Sequence, residues 1–178
     1  DNTWHYSSCF YAKFTSERII KTALEILKKE KKFHFTIDHL PSIEDFLKRY
    51  PEEAEYLKKE LKKGRVEIVG PMYTQMDALI PHGESFISQI FYGKKWIESS
   101  LGVSPTTEWL VDVYGYCSQL PQILKKAGIK QLVISLWWVK GKEGENYLKK
   151  NFPQLDFLWE APDGSKILVN NSPDYGGL

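Results

Sequence analysis

The stretch EWLVDVYGYCSQLPQILKKAGI, residues 108–129, decides the fold. It contains in direct succession an apolar run, an aspartate, an aromatic turn and a helix-forming segment. Residues 109–111 predict the end of a buried strand, and Asp112 follows where that strand stops. In α/β sheets and barrels, chemistry takes place at the C-terminal ends of the strands. We therefore expect Asp112 to be a catalytic carboxylate; the alternative is an aspartate that caps the next helix or lies solvated in the turn.

Aromatic side chains surround this aspartate in the sequence. Tyr114 and Tyr116 follow it within the turn, and their ring faces suit a sugar or another ligand with a flat apolar face. A helix is predicted after the turn, with Ser118 as its N-cap, Pro121 in its first turn and Gly128 at its C-terminal stop. The segment is therefore a strand, a carboxylate, a turn and a helix.

Strand and helix patterns alternate through most of the chain. Strands are predicted at residues 33–37, 65–69 and 131–136, helices from Ser16, from Ser42, over 52–63 and over 84–100, and a hairpin at 157–169 around the turn at Asp163 and Gly164. Such alternation predicts a parallel sheet with helices packed outside it. No repeat or linker interrupts the pattern, so we expect a single α/β domain.

The composition of the chain limits which binding partners and which cellular location we expect for the protein. The chain has 178 residues, which suits one domain with a sizeable core, and its net charge of +1 gives no reason to expect a nucleic acid or an anionic membrane as partner. No apolar run is long enough to span a bilayer. Cys9 and Cys117 are far apart and form neither a disulfide framework nor a metal-type spacing. They favour a reducing, cytoplasmic location.

The histidines give no metal-binding pattern of their own. His34 and His39 are five residues apart across a strand-to-loop step, so they form no helical pair of ligands. His82 precedes a predicted helix and is better explained as a loop or cap residue than as a ligand.

Five segments resemble, in order, motifs of the glycoside hydrolase family 38 α-mannosidases, above all of their bacterial and archaeal branch. They are DNTW at 1–4, RVEIVG at 65–70, DALIPHGESFISQIFY at 77–92, WLVDVYGYCSQLPQIL at 109–124 and FLWEAPDGSKILV at 157–169. The resemblance implies an irregular (β/α) barrel of the family 38/57 type, incomplete in this chain. It also implies one zinc ion and hydrolysis of α-mannosides with retention of configuration.

The resemblance also implies roles for single residues. Asp1 corresponds to a zinc ligand, and Asp112 to both a zinc ligand and the nucleophile. Trp4 corresponds to a residue lining the sugar subsite, and Asp174 lies near the position of the general acid. The remaining candidates for substrate contacts are Asp77, Tyr114 and Tyr116.

The same comparison implies a partial catalytic domain. Residues 1–178 match the first part of that domain as a single α/β segment, so its start, its end and the zinc-binding histidines fall outside the chain. A barrel without its first strand exposes sheet edges. We therefore expect either a homo-oligomer or a missing C-terminal region to cover them.

Other functions remain open at this point. A family 57-like hydrolase would act on polysaccharide from a similar barrel, but it relies on a glutamate nucleophile and the strand-end residue here is Asp112. A metal-dependent deacetylase should show a helical H-x-x-x-H pair, and the sequence has none. The third possibility is a non-catalytic paralogue that binds carbohydrate or a partner protein. The best argument for it is that the zinc-binding histidines fall outside the chain.

Overall fold

The computed structural model describes residues 9–111, 113–135, 150 and 156–172, with side chains described from residue 17 onward. Its helices are α1 (Cys9–Lys29), α2 (Leu40–Arg49), α3 (Ala54–Lys62, after a 3₁₀ turn at Pro51–Glu53), α4 (Gly83–Leu101) and α5 (Leu120–Lys126). Its strands are β1 (Phe35–Ile37), β2 (Val66–Ile68), β3 (Thr107–Leu110), β4 (Gln131–Ile134), β5 (Asp156–Glu160) and β6 (Lys166–Asn171).

The strands form two groups that are mainly parallel. In the first group β1 pairs with β2, and in the second the order is β3-β4-β6-β5. β3, β4 and β6 run parallel, while β5 is antiparallel to β6 at the edge. The predicted parallel sheet and the predicted hairpin are therefore confirmed, although β6 lies inside the sheet. The strands of the described residues do not close into a barrel, and the incomplete barrel of the family 38/57 type stays a prediction.

Two helix starts differ from the sequence prediction near the N-terminus. α1 begins at Cys9, so Ser16 lies within the helix; no proline or glycine between these two residues interrupts it. α2 begins two residues before Ser42, which therefore does not cap it. His39 takes the N-cap position instead, and its Nδ1 lies 2.6 Å from Ser42 Oγ.

The start of α5 also differs from the prediction, whereas its predicted stop at Gly128 is confirmed. Gln119, not Ser118, takes the N-cap position of α5, and a proline at the start of the helix sets its first turn. Gly64 and Gly128 follow α3 and α5 with φ angles of 70° and 83°, the left-handed conformation of a C-terminal stop. His82 caps α4 by accepting a hydrogen bond from Glu84 N at 3.3 Å.

Helix α4 is shared by two hydrophobic clusters. Its C-terminal half contributes Ile97 and Leu101 to the cluster around β1 and β2. Its N-terminal half contributes Phe86 and Ile90 to the cluster around β3, β4 and β6. A single helix therefore packs against both groups of strands. No helix in the described part of the chain is long and apolar enough to cross a membrane.

A buried ion pair joins α1, α3 and β2. Glu60 is 1% exposed and accepts hydrogen bonds from Lys63 Nζ and Arg65 Nη1, both at 2.8 Å. Burial raises the pKa of the Glu60 carboxyl, but the Lys63 hydrogen bond and the nearby positive charges together hold it below its usual value. Arg65 Nη2 also donates to the carbonyl oxygens of Leu27 and Glu30. The guanidinium thus satisfies carbonyl groups at the end of α1.

The two groups of strands meet where β2 ends beside β3. Gly70 N donates to Thr107 O at 2.9 Å. Glu108 is 1% exposed at this junction, and its Oε1 accepts a hydrogen bond from the backbone N–H of Trp109 at 3.1 Å. The backbone N–H of Met72 also donates to this carboxyl group. A Cβ atom on Gly70, whose φ is +81°, would lie 3.1 Å from Glu108 Oε1. Glycine therefore allows β2 to approach the buried carboxyl.

The Glu108 carboxyl is protonated at neutral pH. Burial raises its pKa from 4.5 to about 8, against the opposing effect of the two backbone hydrogen bonds. Its second oxygen, Oε2, is buried and has no hydrogen-bond partner. An ionised carboxylate there would carry an uncompensated desolvation cost.

We predict that Gly93→Ala destabilises the protein by about 3 kcal/mol. A Cβ atom at this position of α4 would lie 1.9 Å from the carbonyl oxygen of Pro71, so either α4 or the loop after β2 must move. Urea unfolding measures the change. Gly83→Ala is the control, because nothing lies within 4 Å of a Cβ atom there. Equal stabilities for the two variants would contradict the packing described for Gly93.

We predict that Glu108 makes stability fall as pH rises. The unfolded chain releases this proton near pH 4.5, whereas the folded chain holds it up to about 8. Glu108 therefore makes its full contribution to the free energy of unfolding below pH 4.5. This contribution decreases by about 1.4 kcal/mol per pH unit up to about pH 8, and above that pH it does not change further.

Urea unfolding across this range should give a smaller slope in Glu108→Gln than in the wild type. Glutamine keeps the carbonyl oxygen that accepts from the backbone and does not titrate. Glu67→Gln, at an exposed position on β2, should leave the slope unchanged. An identical pH dependence in Glu108→Gln and the wild type would show that Glu108 does not carry the effect.

Candidate active site

The C-terminal ends of β3, β4 and β6 lie along one edge of the four-stranded sheet. The residues that leave this edge are Val111 after β3, Ser135 after β4 and Ser172 after β6. Two polar side chains at this edge, Ser135 and Asn171, are buried, and Ser135 Oγ has no hydrogen-bond partner. The strand ends therefore bring polar groups from distant parts of the chain to one edge, as in the ligand sites of α/β proteins.

Four of the residues predicted for the site lie outside the described residues: Asp1, Trp4, Asp112 and Asp174. Their roles as zinc ligands, sugar contact, nucleophile and general acid therefore stay predictions. Within the described part of the chain, no three His, Cys, Asp or Glu side chains form a cluster that could hold a metal ion. Val111 and Val113, the described residues on either side of position 112, are both buried.

Tyr116 is anchored beneath the turn after β3. Its hydroxyl donates a hydrogen bond to Leu110 O at 2.7 Å. Its ring meets that of Trp159 on β5 edge-to-face, with 6.3 Å between the ring centroids. One side chain therefore ties the turn to the end of β3 and to the edge strand. Tyr114, two residues earlier, is 69% exposed.

Asp77 stabilises the loop that precedes α4. Its Oδ1 accepts hydrogen bonds from the backbone N–H groups of Leu79, at 2.9 Å, and Ile80, at 3.4 Å. This is an Asx turn, in which an aspartate side chain fixes the backbone that follows it. One carboxyl oxygen is thus used within the loop, and the substrate-binding role of Asp77 stays a prediction.

The Asp77 loop and the turn after β3 contact each other directly. Ala78 forms a parallel β-bridge with Tyr116. Gly115 has a φ of +84°, and a Cβ atom there would lie 2.4 Å from Leu79 Cδ1, so glycine is needed for this approach. The contact brings together the loops carrying three predicted substrate residues, Asp77, Tyr114 and Tyr116.

An exposed apolar rim follows from this contact, and the sequence did not indicate it. Leu79, Ile80 and Tyr114 are 61%, 83% and 69% exposed, although they lie beside the buried end of β3. The rim can contact the apolar face of a ligand bound at the strand ends. In the sequence, the rim is indicated only by the two adjacent apolar residues Leu79 and Ile80 within a predicted loop.

His39 follows β1, in the other group of strands, and precedes α2. Burial lowers the pKa of its imidazole, while the negative charge of Asp38 acts in the opposite direction. The net shift favours the neutral ring, which is consistent with its close contact to Ser42 Oγ. His39 is thus a neutral residue at the N-cap position of α2 and is not assigned to the strand-end site.

Two relatives of this chain are named as alpha-mannosidases. Alpha-mannosidase G of Dictyostelium discoideum is 34% identical over 79% of this chain, which spans 12% of that protein. Alpha-mannosidase 2C1 of Homo sapiens is 31% identical over 87% of this chain and 14% of its own length. The chain therefore spans about one seventh of the length of such relatives.

The fold is also found in solved structures. An alpha-mannosidase from Enterococcus faecalis superposes with a TM-score of 0.78 at 20% identity, covering 93% of this chain and 18% of that one. The 4-alpha-glucanotransferase of Thermococcus litoralis superposes with a TM-score of 0.65 at 21% identity, covering 85% of this chain and 23% of that one. At these identities the likeness shows a shared fold.

The family model described as "Glycosyl hydrolases family 38 N-terminal domain" matches residues 1–176. Nearly the whole chain is included in that match, in agreement with the five motifs that run through the sequence. The chain therefore belongs to the N-terminal domain family of the family 38 glycosyl hydrolases.

Proposed function

We propose that the protein hydrolyses α-mannosides with retention of configuration, and that residues 1–178 supply part of its catalytic domain. The observation that supports this most directly is the family match over residues 1–176, together with relatives named as alpha-mannosidases. The arrangement of the chain agrees with this proposal, because β3, β4 and β6 end at one edge, and the Asp77 loop and the aromatic turn flank the end of β3. We assign the reaction to the cytoplasm.

Asp112 is the nucleophile in this proposal. It follows directly after Val111 at the end of β3, a position where catalytic carboxylates occur in α/β folds. Retaining hydrolysis uses two carboxyl groups about 5 to 5.5 Å apart, one of which attacks the anomeric carbon. The bond between that carbon and the leaving oxygen breaks, and a glycosyl-enzyme forms. Asp174 is the proposed general acid that protonates the leaving oxygen and then activates water.

The side chains around the strand end would position the sugar. Tyr114, Leu79 and Ile80 form an apolar rim beside it, and aromatic or aliphatic surfaces of this kind pack against the C–H face of a pyranose ring. Trp4 is proposed to line the same subsite. The Tyr116 hydroxyl is bonded to Leu110 O, so we assign Tyr116 to holding the turn and the edge of the subsite.

A zinc ion fits the proposed donor set. Asp1 and Asp112 are carboxylates, which are ordinary zinc ligands, and the remaining ligands would be histidines outside this chain. When bound, zinc supplies a Lewis acid that can hold sugar hydroxyls and orient the ring. Asp112 would then serve as both ligand and nucleophile.

We predict that Asp112→Asn lowers kcat for an aryl α-mannoside by at least about a thousandfold, because an amide cannot attack the anomeric carbon. Purified protein with p-nitrophenyl α-mannoside measures the change. Asp163→Asn is the matched control: it makes the same change in the turn between β5 and β6, away from the strand-end site, and asparagine keeps the Oδ1 acceptor for Ser165 N, so it should fold and keep its activity. Full activity in Asp112→Asn would show that another group is the nucleophile.

We also predict that chelation removes the activity and that added zinc restores it. Metal analysis of the purified protein should give about one zinc per chain, and this content should fall in an Asp1→Ala variant. Circular dichroism controls for folding, because chelation would otherwise inactivate a protein that simply unfolds without its metal. Undiminished turnover after complete removal of the metal would rule out the zinc-dependent mechanism.

A further inference from the structure

A groove on the outer helical face carries a second set of ligand-type groups. It lies between α2, α4 and the loop after β2, with a volume of about 470 Å³, which is within the range of small-molecule sites. We call it the α2–α4 groove; its walls include Glu44, Tyr73, Gln89, Tyr92, Lys95 and Trp96. None of these residues belongs to the strand-end site.

The spacing of three residues places them along one face of α4. Gln89, Tyr92 and Trp96 follow each other at intervals of three and four positions, so they project from the same side of the helix. Tyr92 is 63% exposed, whereas Trp96 and Tyr73 are half-buried and pack on the hydrophobic cluster beneath. Three aromatic rings therefore line the groove, two of them held by the core.

Polar groups lie beside these rings with part of their hydrogen-bonding capacity unused. Gln89 accepts from Thr74 N through Oε1, at 2.9 Å, which fixes the amide and directs its NH₂ group away from that bond. Among the described residues, none accepts a hydrogen bond from this NH₂ group or from the indole N–H of Trp96. The groove therefore offers two neutral donors next to aromatic surfaces.

The carboxylate of the groove is compensated, whereas the Lys95 Nζ atom lies 6.0 Å from the centre of the Phe91 ring. Glu44 is bonded to Lys48 Nζ at 2.7 Å and to the hydroxyl of Tyr73. These hydrogen bonds lower the pKa of the Glu44 carboxyl and raise that of Tyr73 to about 12, so the carboxylate stays ionised and the phenol stays protonated. A paired carboxylate retains lone pairs for further donors. An uncharged ligand with many hydroxyls suits such a site better than a strongly charged one.

We infer that the α2–α4 groove is a second carbohydrate-binding site, which holds a neutral hexose unit of an oligosaccharide outside the strand-end site. The C–H face of the sugar would pack on Trp96 and Tyr92. Its hydroxyl oxygens would accept hydrogen bonds from the Gln89 NH₂ group and from Lys95, and a hydroxyl would donate to Glu44. The groove holds ligand without contributing a reacting group.

Fluorine NMR of protein labelled with 5-fluorotryptophan can test this site directly. The signal that disappears in Trp96→Phe belongs to Trp96. On titration with α-(1→2)-linked mannotriose, this signal should shift in a saturable manner. It should do so in Asp112→Asn as well, because the two sites are separate, so failure of the proposed catalytic assignment would not remove it.

Two variants and one control then locate the binding. Gln89→Ala and Tyr92→Ala should each weaken the binding reported by Trp96 about tenfold. Ile87→Ala, on the side of α4 that faces α5, should leave it unchanged. A Trp96 signal that does not respond to the trisaccharide, or that reports wild-type affinity in both groove variants, would overturn the inference. So would a signal unaffected by replacing H₂O with D₂O, because the groove would then be covered by protein.

Discussion

The hydrogen bond from Gly70 N to Thr107 O joins the two groups of parallel strands, and the rest of the described structure depends on that junction. It forms only because glycine lets the chain pass within van der Waals distance of the buried Glu108 carboxyl. The same carboxyl accepts from Met72 N and so fixes the start of the loop that leads to Asp77. A single protonated side chain thus connects the sheet to one wall of the candidate active site.

Local signals allowed much of the fold to be predicted, and long-range contacts account for what was missed. Gly64 and Gly128 stop helices through their own backbone conformation, which sequence reveals directly. Helix starts were misplaced at Ser42 and Ser118 because a cap contributes only about 1 kcal/mol, and neighbouring prolines set the first turn instead. The burial of Glu108 depends on a strand some forty residues earlier in the chain, so no local pattern indicates it.

In the candidate site, too, some features follow from local sequence patterns and others depend on contacts between distant parts of the chain. The position of Asp112 after an apolar run is a local pattern, and so is the aromatic turn that follows. The position of Tyr114 beside the Asp77 loop depends on two long-range contacts. Ala78 pairs with Tyr116, and Leu79 fits against Gly115. Such contacts between loops depend on the complete packing of α4 and β3, which is why the exposed apolar rim could be found only in the structure.

The position of β6 has a consequence for the order in which the sheet is completed. β4 is bordered by β3 and β6, and β6 ends at Asn171, far beyond β4 in the chain. While the chain is synthesised, β4 therefore keeps an unpaired edge with apolar side chains such as Leu132 until the later strand has emerged. In a nascent chain this open edge is a place where a neighbouring polypeptide can pair in error or a chaperone can bind.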